Sequence, residues 1–199
     1  MSLQEIKIFL KQKLSSKIDA VELTSLIGML IEAVTGWNRM QQIVNVNTEL
    51  TKEQQALLEN YAQQLLGDKP IQYILGKAWF MGNELMVNEN VLIPRPETEE
   101  LVEWIISYAS IMNKPLSVLD IGTGSGCIPI ALKLALPNCT LTGLDISKDA
   151  LGVAQMNAKN LNASIEWMEE DILNTAALDN SAAEIAIDSF VFTTSFLVN

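Results

Sequence analysis

The chain has 199 residues, enough for one ordinary domain or two small ones, and 49% of them are hydrophobic, so a real core forms and wholesale disorder is excluded. Its formal net charge of −11 argues against sequence-independent binding to nucleic acid, which needs a basic surface. It has no histidine, which excludes Ser-His and Cys-His nucleophilic catalysis and most zinc sites, so no metal site is expected.

The first 75 residues read as helices. Ser2-x-x-Glu5 is a capping box, followed by Ile6, Phe9, Leu10 and Leu14 at helical spacing. Asp19-x-x-Glu22 opens a second helix that turns Leu23, Leu26, Ile27, Leu30, Ile31 and Val34 inward and stops at Gly36. A short helical turn covers Asn38 to Val44. Thr51-x-x-Gln54 opens the next helix, which runs to Gly67, and Pro70 suits the first turn of a short fifth helix, Ile71 to Leu75. Such a set predicts a small helical bundle over residues 1–75 whose apolar stripes are core.

Residues 76–93 change character. Lys77-Ala78-Trp79-Phe80-Met81 and Glu84-Leu85-Met86-Val87 are β-prone runs around Gly82-Asn83, which predicts a hairpin acting as a linker. The loop Val91-Leu-Ile-Pro-Arg-Pro-Glu-Thr-Glu-Glu100 is stiffened by its prolines, and Glu97, Glu99 and Glu100 suit the positive end of a helix from Thr98 to Ser110. Charge is lopsided about this boundary: residues 1–75 carry 7 Lys/Arg against 8 Asp/Glu, residues 76–199 carry 6 against 16. The shift supports two units.

From Ser117 the pattern is strand, helix, strand, helix, strand, with the helices at Cys127 to Leu136 and Lys148 to Leu161 and the third strand at Ile165 to Met168. That alternation means a parallel sheet with ligands at the carboxyl ends of its strands. The run Val118-Leu119-Asp120-Ile121-Gly122-Thr123-Gly124-Ser125-Gly126 is a buried strand ending in a tight glycine turn. Glycines there allow positive φ and close approach to a ligand. The spacing is G-x-G-x-G, not the G-x-G-x-x-G of pyrophosphate binders, and no Lys-Ser/Thr follows as in a P-loop. Asp145 closes the next strand about 20 residues on, where an acid accepts hydrogen bonds from ribose hydroxyls. Asp171 and Ile172 follow the third strand on the same edge, where an acid and an apolar residue can hold an adenine. Strand, glycine turn, helix, strand and acid together point to a nucleoside without a phosphate reader.

Cys127 and Cys139 flank a helix about 15 Å long, so they are expected to stay unbridged, as in a reducing compartment. No leader and no apolar run of membrane length is read, which predicts a cytoplasmic protein.

Asp-Ile-Gly-Thr-Gly-Ser-Gly from Asp120, with Asp145 and Asp171, resembles the class I S-adenosylmethionine-dependent methyltransferases. Pro70-Ile-Gln-Tyr-Ile-Leu-Gly76 and Val91-Leu-Ile-Pro-Arg-Pro-Glu-Thr-Glu99, with the helical N-terminal part, resemble the release factor glutamine methyltransferases, the HemK/PrmC family, over residues 1 to about 175. The resemblance implies an α/β fold: a helical domain over 1–75 that helps dock a peptide chain release factor, a hairpin over 76–93, and an incomplete Rossmann-like methyltransferase domain over 94–199. It implies S-adenosyl-L-methionine as cofactor and methylation of the glutamine side-chain nitrogen in a release factor's Gly-Gly-Gln motif. It places Gly122, Thr123, Gly124, Ser125 and Gly126 at the methionine part of the cofactor, Asp145 at the ribose, and Asp171 and Ile172 at the adenine. Arg95 and Glu97 would close over the pocket.

The family carries an Asn-Pro-Pro-Tyr motif after a fourth strand, whose asparagine holds the substrate amide for in-line attack. The 199 residues contain no such motif, so no catalytic residue is assigned and activity is expected to be impaired. Codons able to encode Phe192 to Val198, read two bases out of frame, permit Tyr-Asp-Ile-Ile-Leu-Ser, which suggests a frameshift after about residue 180 and a truncated sheet.

Overall fold

The computed structural model describes residues 1–112, 116–173 and 189–193. The frameshift reading concerns a tail that, apart from the backbone of 189–193, lies outside the described residues. The chain divides into two compact units, Met1–Leu75 and Gly76–Asn199.

The first unit consists of α1 (Leu3–Leu14), α2 (Ala20–Thr35), α3 (Arg39–Val44), α4 (Lys52–Leu66) and α5 (Ile71–Leu75). Its helix starts depend on side chains that satisfy otherwise orphaned N–H groups. Ser2 with Glu5, Asn38 with Gln41 and Thr51 with Gln54 form complete capping boxes. Asp19 caps α2 by accepting from the Val21 N–H. Gly36 ends α2 at φ 72°, a left-handed conformation that costs glycine nothing. The remaining donors of α1 are taken by backbone, with Leu3 N–H donating to Thr48 and Gln4 N–H to Val46. Leu3, Ile6, Leu10 and Leu14 of α1 bury against Leu23, Ile27, Leu30 and Ile31 of α2 and Leu58 and Ala62 of α4. Buried Gln42 ties α3 to α2 by donating to the carbonyls of Gly28 and Trp37, both at 3.0 Å.

The second unit opens with an antiparallel hairpin, β1 (Lys77–Phe80) and β2 (Asn83–Met86). The turn falls on Met81-Gly82, one residue before the Gly82-Asn83 expected from sequence. Both turn residues take positive φ, 47° and 74°, as a two-residue hairpin turn requires. Methionine is tolerated there because Glu99 accepts its N–H and the Asn83 side chain donates to its carbonyl. The hairpin is an integral part of the second unit. Phe80 and Leu85 enter that unit's core, and Asn157 both donates to and accepts from the Met86 backbone.

Next come α6 (Pro96–Met112), β3 (Ser117–Ile121), α7 (Cys127–Ala135), β4 (Thr140–Asp145), α8 (Lys148–Asn160), β5 (Glu166–Glu169) and β6 (Ser189–Thr193). The sheet is parallel, in the order β5-β4-β3-β6. β6 was not anticipated from sequence; its segment pairs with β3 from Ser117↔Ser189 to Ile121↔Thr193. Val118 and Leu141 on one face pack under α6, α7 and α8, and Leu119, Ile121 and Leu144 cluster on the other. Strand β3, flanked on both sides, is buried from Val118 to Ile121. Both cysteines are free and buried.

Two glycines give a paired test of packing. A Cβ on Gly143 would stand 2.5 Å from the Trp167 ring, whereas one on Gly28, inside α2, would meet nothing within 4 Å. Gly143→Ala is expected to destabilise the protein by roughly 1–3 kcal/mol, and Gly28→Ala to stabilise it by roughly 0.5–1 kcal/mol. Urea unfolding followed by circular dichroism reads both, and shifts of the same sign would contradict this account of the β4–β5 packing.

Candidate functional site

A cavity of about 410 Å³ opens at the carboxyl ends of β3, β4 and β5, within the usual range for small-molecule sites. The sheet order places it beside the point where the strand sequence reverses about β3, the crevice where open α/β sheets bind ligands. Its walls are the turn after β3, the residues after β4 and β5, and the loop before α6.

The turn is shaped by three glycines at positive φ, Gly122 at 74°, Gly124 at 54° and Gly126 at 76°. Gly122 and Thr123 both donate their N–H to the Leu144 carbonyl, at 2.8 and 3.0 Å, which draws the turn against the end of β4. Gly124 is glycine for its backbone and for the space beside it, since a Cβ there would find no neighbour closer than 4.0 Å. Gly126 is glycine for packing as well: a Cβ would stand 3.0 Å from Trp167 and 3.1 Å from Ala154. It caps α7 without a side chain and lies behind the cavity rather than on its wall. Thr123 and Ser125 are nearly inaccessible at 3% each, and the Ser125 carbonyl accepts from Asn157.

Asp145 stands on the wall with both oxygens engaged. Oδ2 accepts from the Gly124 N–H and Oδ1 from the Ser147 N–H, each at 2.9 Å. Asp171 lines the same cavity and holds its own loop by accepting from the Leu173 N–H at 3.0 Å. Ile172 packs against Leu119, Ile121 and Leu144. The structure therefore brings Gly122–Ser125, Asp145, Asp171 and Ile172 to one cavity. Of the loop before α6, Arg95 borders it, while Glu97 is exposed and does not.

Other wall residues had no sequence argument of their own. Thr98, 8% exposed, is brought in by the first turn of α6, which starts at Pro96 rather than Thr98. Ile146 and Leu173 are exposed apolar residues placed just after Asp145 and Asp171. The available signal was an apolar residue next to each strand-end acid.

Asp120 lies directly behind the wall, wholly buried. Its Oδ2 accepts from the Thr123 hydroxyl at 2.6 Å, and its Oδ1 has no partner among the described residues. Burial, reinforced by the charge of Asp145 and partly offset by the Thr123 hydrogen bond, pushes its carboxyl up from 3.8 to about 7. Burial likewise pushes the Cys127 thiol up to about 12, which leaves it inert as a nucleophile. Among the described residues there is no His/Cys/Asp/Glu group able to hold a metal ion, and no helix is long and apolar enough to cross a membrane.

Known proteins bear on both units. Residues 3–76 match the PrmC N-terminal domain, and residues 118–195 match a methyltransferase domain. A release factor glutamine methyltransferase of Flavobacterium psychrophilum is 44% identical over 172 residues, 84% of this chain and 60% of that protein. One of Streptococcus pneumoniae is 51% identical over 121 residues, 61% of this chain and 43% of that protein. One of Bacteroides thetaiotaomicron is 32% identical over 187 residues, 94% of this chain and 66% of that protein. The chain belongs to the release factor glutamine methyltransferase family. The family is one of S-adenosylmethionine-dependent methyltransferases. The chain spans between 43% and 66% of the length of these three relatives.

The buried acid makes stability depend on pH. Asp120 keeps its proton in the folded state up to about pH 7 but loses it near 3.8 when unfolded. The folded state then holds more protons than the unfolded one, so wild-type stability falls as pH rises through this window and levels off above it. Asp120→Asn lacks that loss. Its stability relative to wild type is expected to climb between about pH 4 and pH 7 and then stay flat. Urea midpoints across the range test this, and a constant difference would show that Asp120 is not the group responsible.

Proposed function

We propose that the chain binds S-adenosylmethionine in the cavity beside Asp145 and serves methylation of the glutamine in the Gly-Gly-Gln motif of peptide chain release factors. The observation that carries the reading is the glycine turn, drawn onto Leu144 and Asp145 so that its open side borders a cavity of about 410 Å³.

The residues present suit that cofactor. Each Asp145 oxygen accepts one backbone N–H, and a carboxylate oxygen has a second lone pair, so two ribose hydroxyls find acceptors. The space beside Gly124 admits the methionine chain, with Gly122, Thr123 and Ser125 completing that wall and Gly126 supporting it. Asp171 can accept from an adenine amine while Ile172 and Leu144 cover the ring face and exclude water. Arg95 is the side chain of its loop that can reach over the opening, with Glu97 on the solvent side. When bound, the cofactor supplies a methyl group activated on a sulfonium. The chain's own residues contribute by placement: Asp145 fixes the sugar, the turn fixes the methionine, and the apolar wall keeps the centre dry.

In this reading residues 1–75 dock the release factor, the hairpin joins the second unit, and the remaining residues carry the methyltransferase part. No direct nucleic-acid partner and no membrane partner is invoked, in keeping with a net charge of −11 and a cytoplasmic setting. The amide-holding Asn-Pro-Pro-Tyr does not occur in the 199 residues. Placement of that kind is worth about 7–11 kcal/mol in well-oriented reactions.

Calorimetric titration is expected to show cofactor binding that Asp145→Ala weakens by roughly 1.5–3 kcal/mol, because the ribose hydroxyls lose a charged acceptor. Unchanged affinity would take Asp145 out of the site. Radiolabelled methyl transfer from this chain to a folded release factor is expected to be slight. Turnover matching a relative that has the motif would overturn the role given to the missing asparagine.

A further inference from the structure

Besides Glu170, which lines the cavity, the proposed function leaves one further acid of this site unused among the described residues, Asp120. It does not touch the cavity. It stands one side chain behind the wall: its Oδ2 holds the Thr123 hydroxyl at 2.6 Å, and Thr123 lines the cavity. The turn is thus gripped by two carboxylates from neighbouring strands, Asp120 through the Thr123 side chain and Asp145 through the Gly124 backbone at 2.9 Å. The two grips differ. Asp145 spreads its charge over two N–H donors, whereas Asp120 has one oxygen with no partner among the described residues and no access to water.

We propose that Asp120 is the charge-sensing residue of this pocket, exchanging its proton against the positive charge of an incoming sulfonium and so favouring the cationic cofactor over its neutral thioether product. The proposal rests on the methyltransferase reading of the cavity. On binding, the Asp120 O–H bond breaks, its electron pair stays on the carboxylate, and the proton passes to solvent. Nothing is oxidised or reduced.

The surroundings favour such an exchange. Among the described residues, the ionisable groups acting with Asp120 are Asp145 at the end of β4 and the Cys127 thiol at the start of α7. The segment Ser189-Phe-Val-Phe-Thr193 paired alongside carries no ionisable side chain. An isolated anion there meets burial and a like charge, which hold the carboxyl near 7. Arg95, exposed at the border, is the one cationic side chain among the described residues lining the cavity, and a cation entering the cavity adds opposite charge in front of the wall that Asp120 stands behind. S-adenosylmethionine brings one net positive charge on its sulfonium, and S-adenosylhomocysteine brings none.

The test is calorimetric titration of the full chain with both compounds from about pH 6 to pH 8, in two buffers of different ionisation heat. For a group near 7 that stays ionised in the complex, S-adenosylmethionine affinity rises about tenfold over this range, with release of about half a proton at pH 7. S-adenosylhomocysteine lacks this component. Asp120→Asn removes it while leaving the titration of the ligand's own amino group, so the difference between wild type and variant isolates Asp120. Carboxyl 13C resonances of wild-type protein labelled at aspartate give the same answer without a variant: the Asp120 signal titrates near 7 alone and shifts to lower pH with S-adenosylmethionine only. Equal pH profiles for the two compounds, or an Asp120 titration unmoved by ligand, overturn the proposal and leave the methyltransferase reading standing. Binding of neither compound overturns both.

Discussion

The hydrogen bond from the Gly124 N–H to Asp145 Oδ2, at 2.9 Å, is the constraint on which the second unit's cavity depends. It joins the turn after β3 to the end of β4. The Leu144 carbonyl, accepting from Gly122 and Thr123, doubles the joint. A turn with side chains at these positions could not lie so flat, because positive φ is needed at three alternate residues. The turn leaves open space at Gly124 and none at Gly126, so one end of the same short segment faces the cavity while the other is locked beneath Trp167 and α8.

That locking extends outward from the sheet. Asn157, 1% exposed, accepts from the Met86 N–H and donates to the carbonyls of Met86 and Ser125. One buried amide thus connects α8, the hairpin and the glycine turn. A buried polar group so fully satisfied rigidifies its surroundings, and the same low-dielectric setting makes an unsatisfied one costly. Asp120, a few residues before Ser125 in the chain, is the contrasting case. The two side chains show how a single turn is held by one contact that is complete and another that is not.

The elements most legible in the sequence were those encoded by neighbours in the chain. Capping boxes at Ser2 and Thr51 and the stop at Gly36 rest on contacts within about one helical turn, and they lie where the spacing put them. The glycine turn, the acid that ends β4 and the acid that follows β5 were equally local. The hairpin turn was off by one residue because Glu99, 18 positions away, accepts the Met81 N–H. β6 was missed because an apolar segment becomes a strand only when an edge is free to receive it, and that edge belongs to β3, some 70 residues earlier.

By itself the sequence determined the alternation of strand and helix, the positive-φ turn, and which residue types stand at the strand ends, since these depend on backbone freedom and short-range hydrogen bonds. Only the tertiary structure decided that Arg95 borders the cavity while Glu97 does not, that Thr98 joins the wall, and that Gly126 supports the turn from behind. It alone decided that Asp120 is fully buried with one oxygen that has no partner among the described residues. An aspartate's ionisation depends on the water and charge around it, and that surrounding is assembled from β3, β4 and α7 only when the chain has folded.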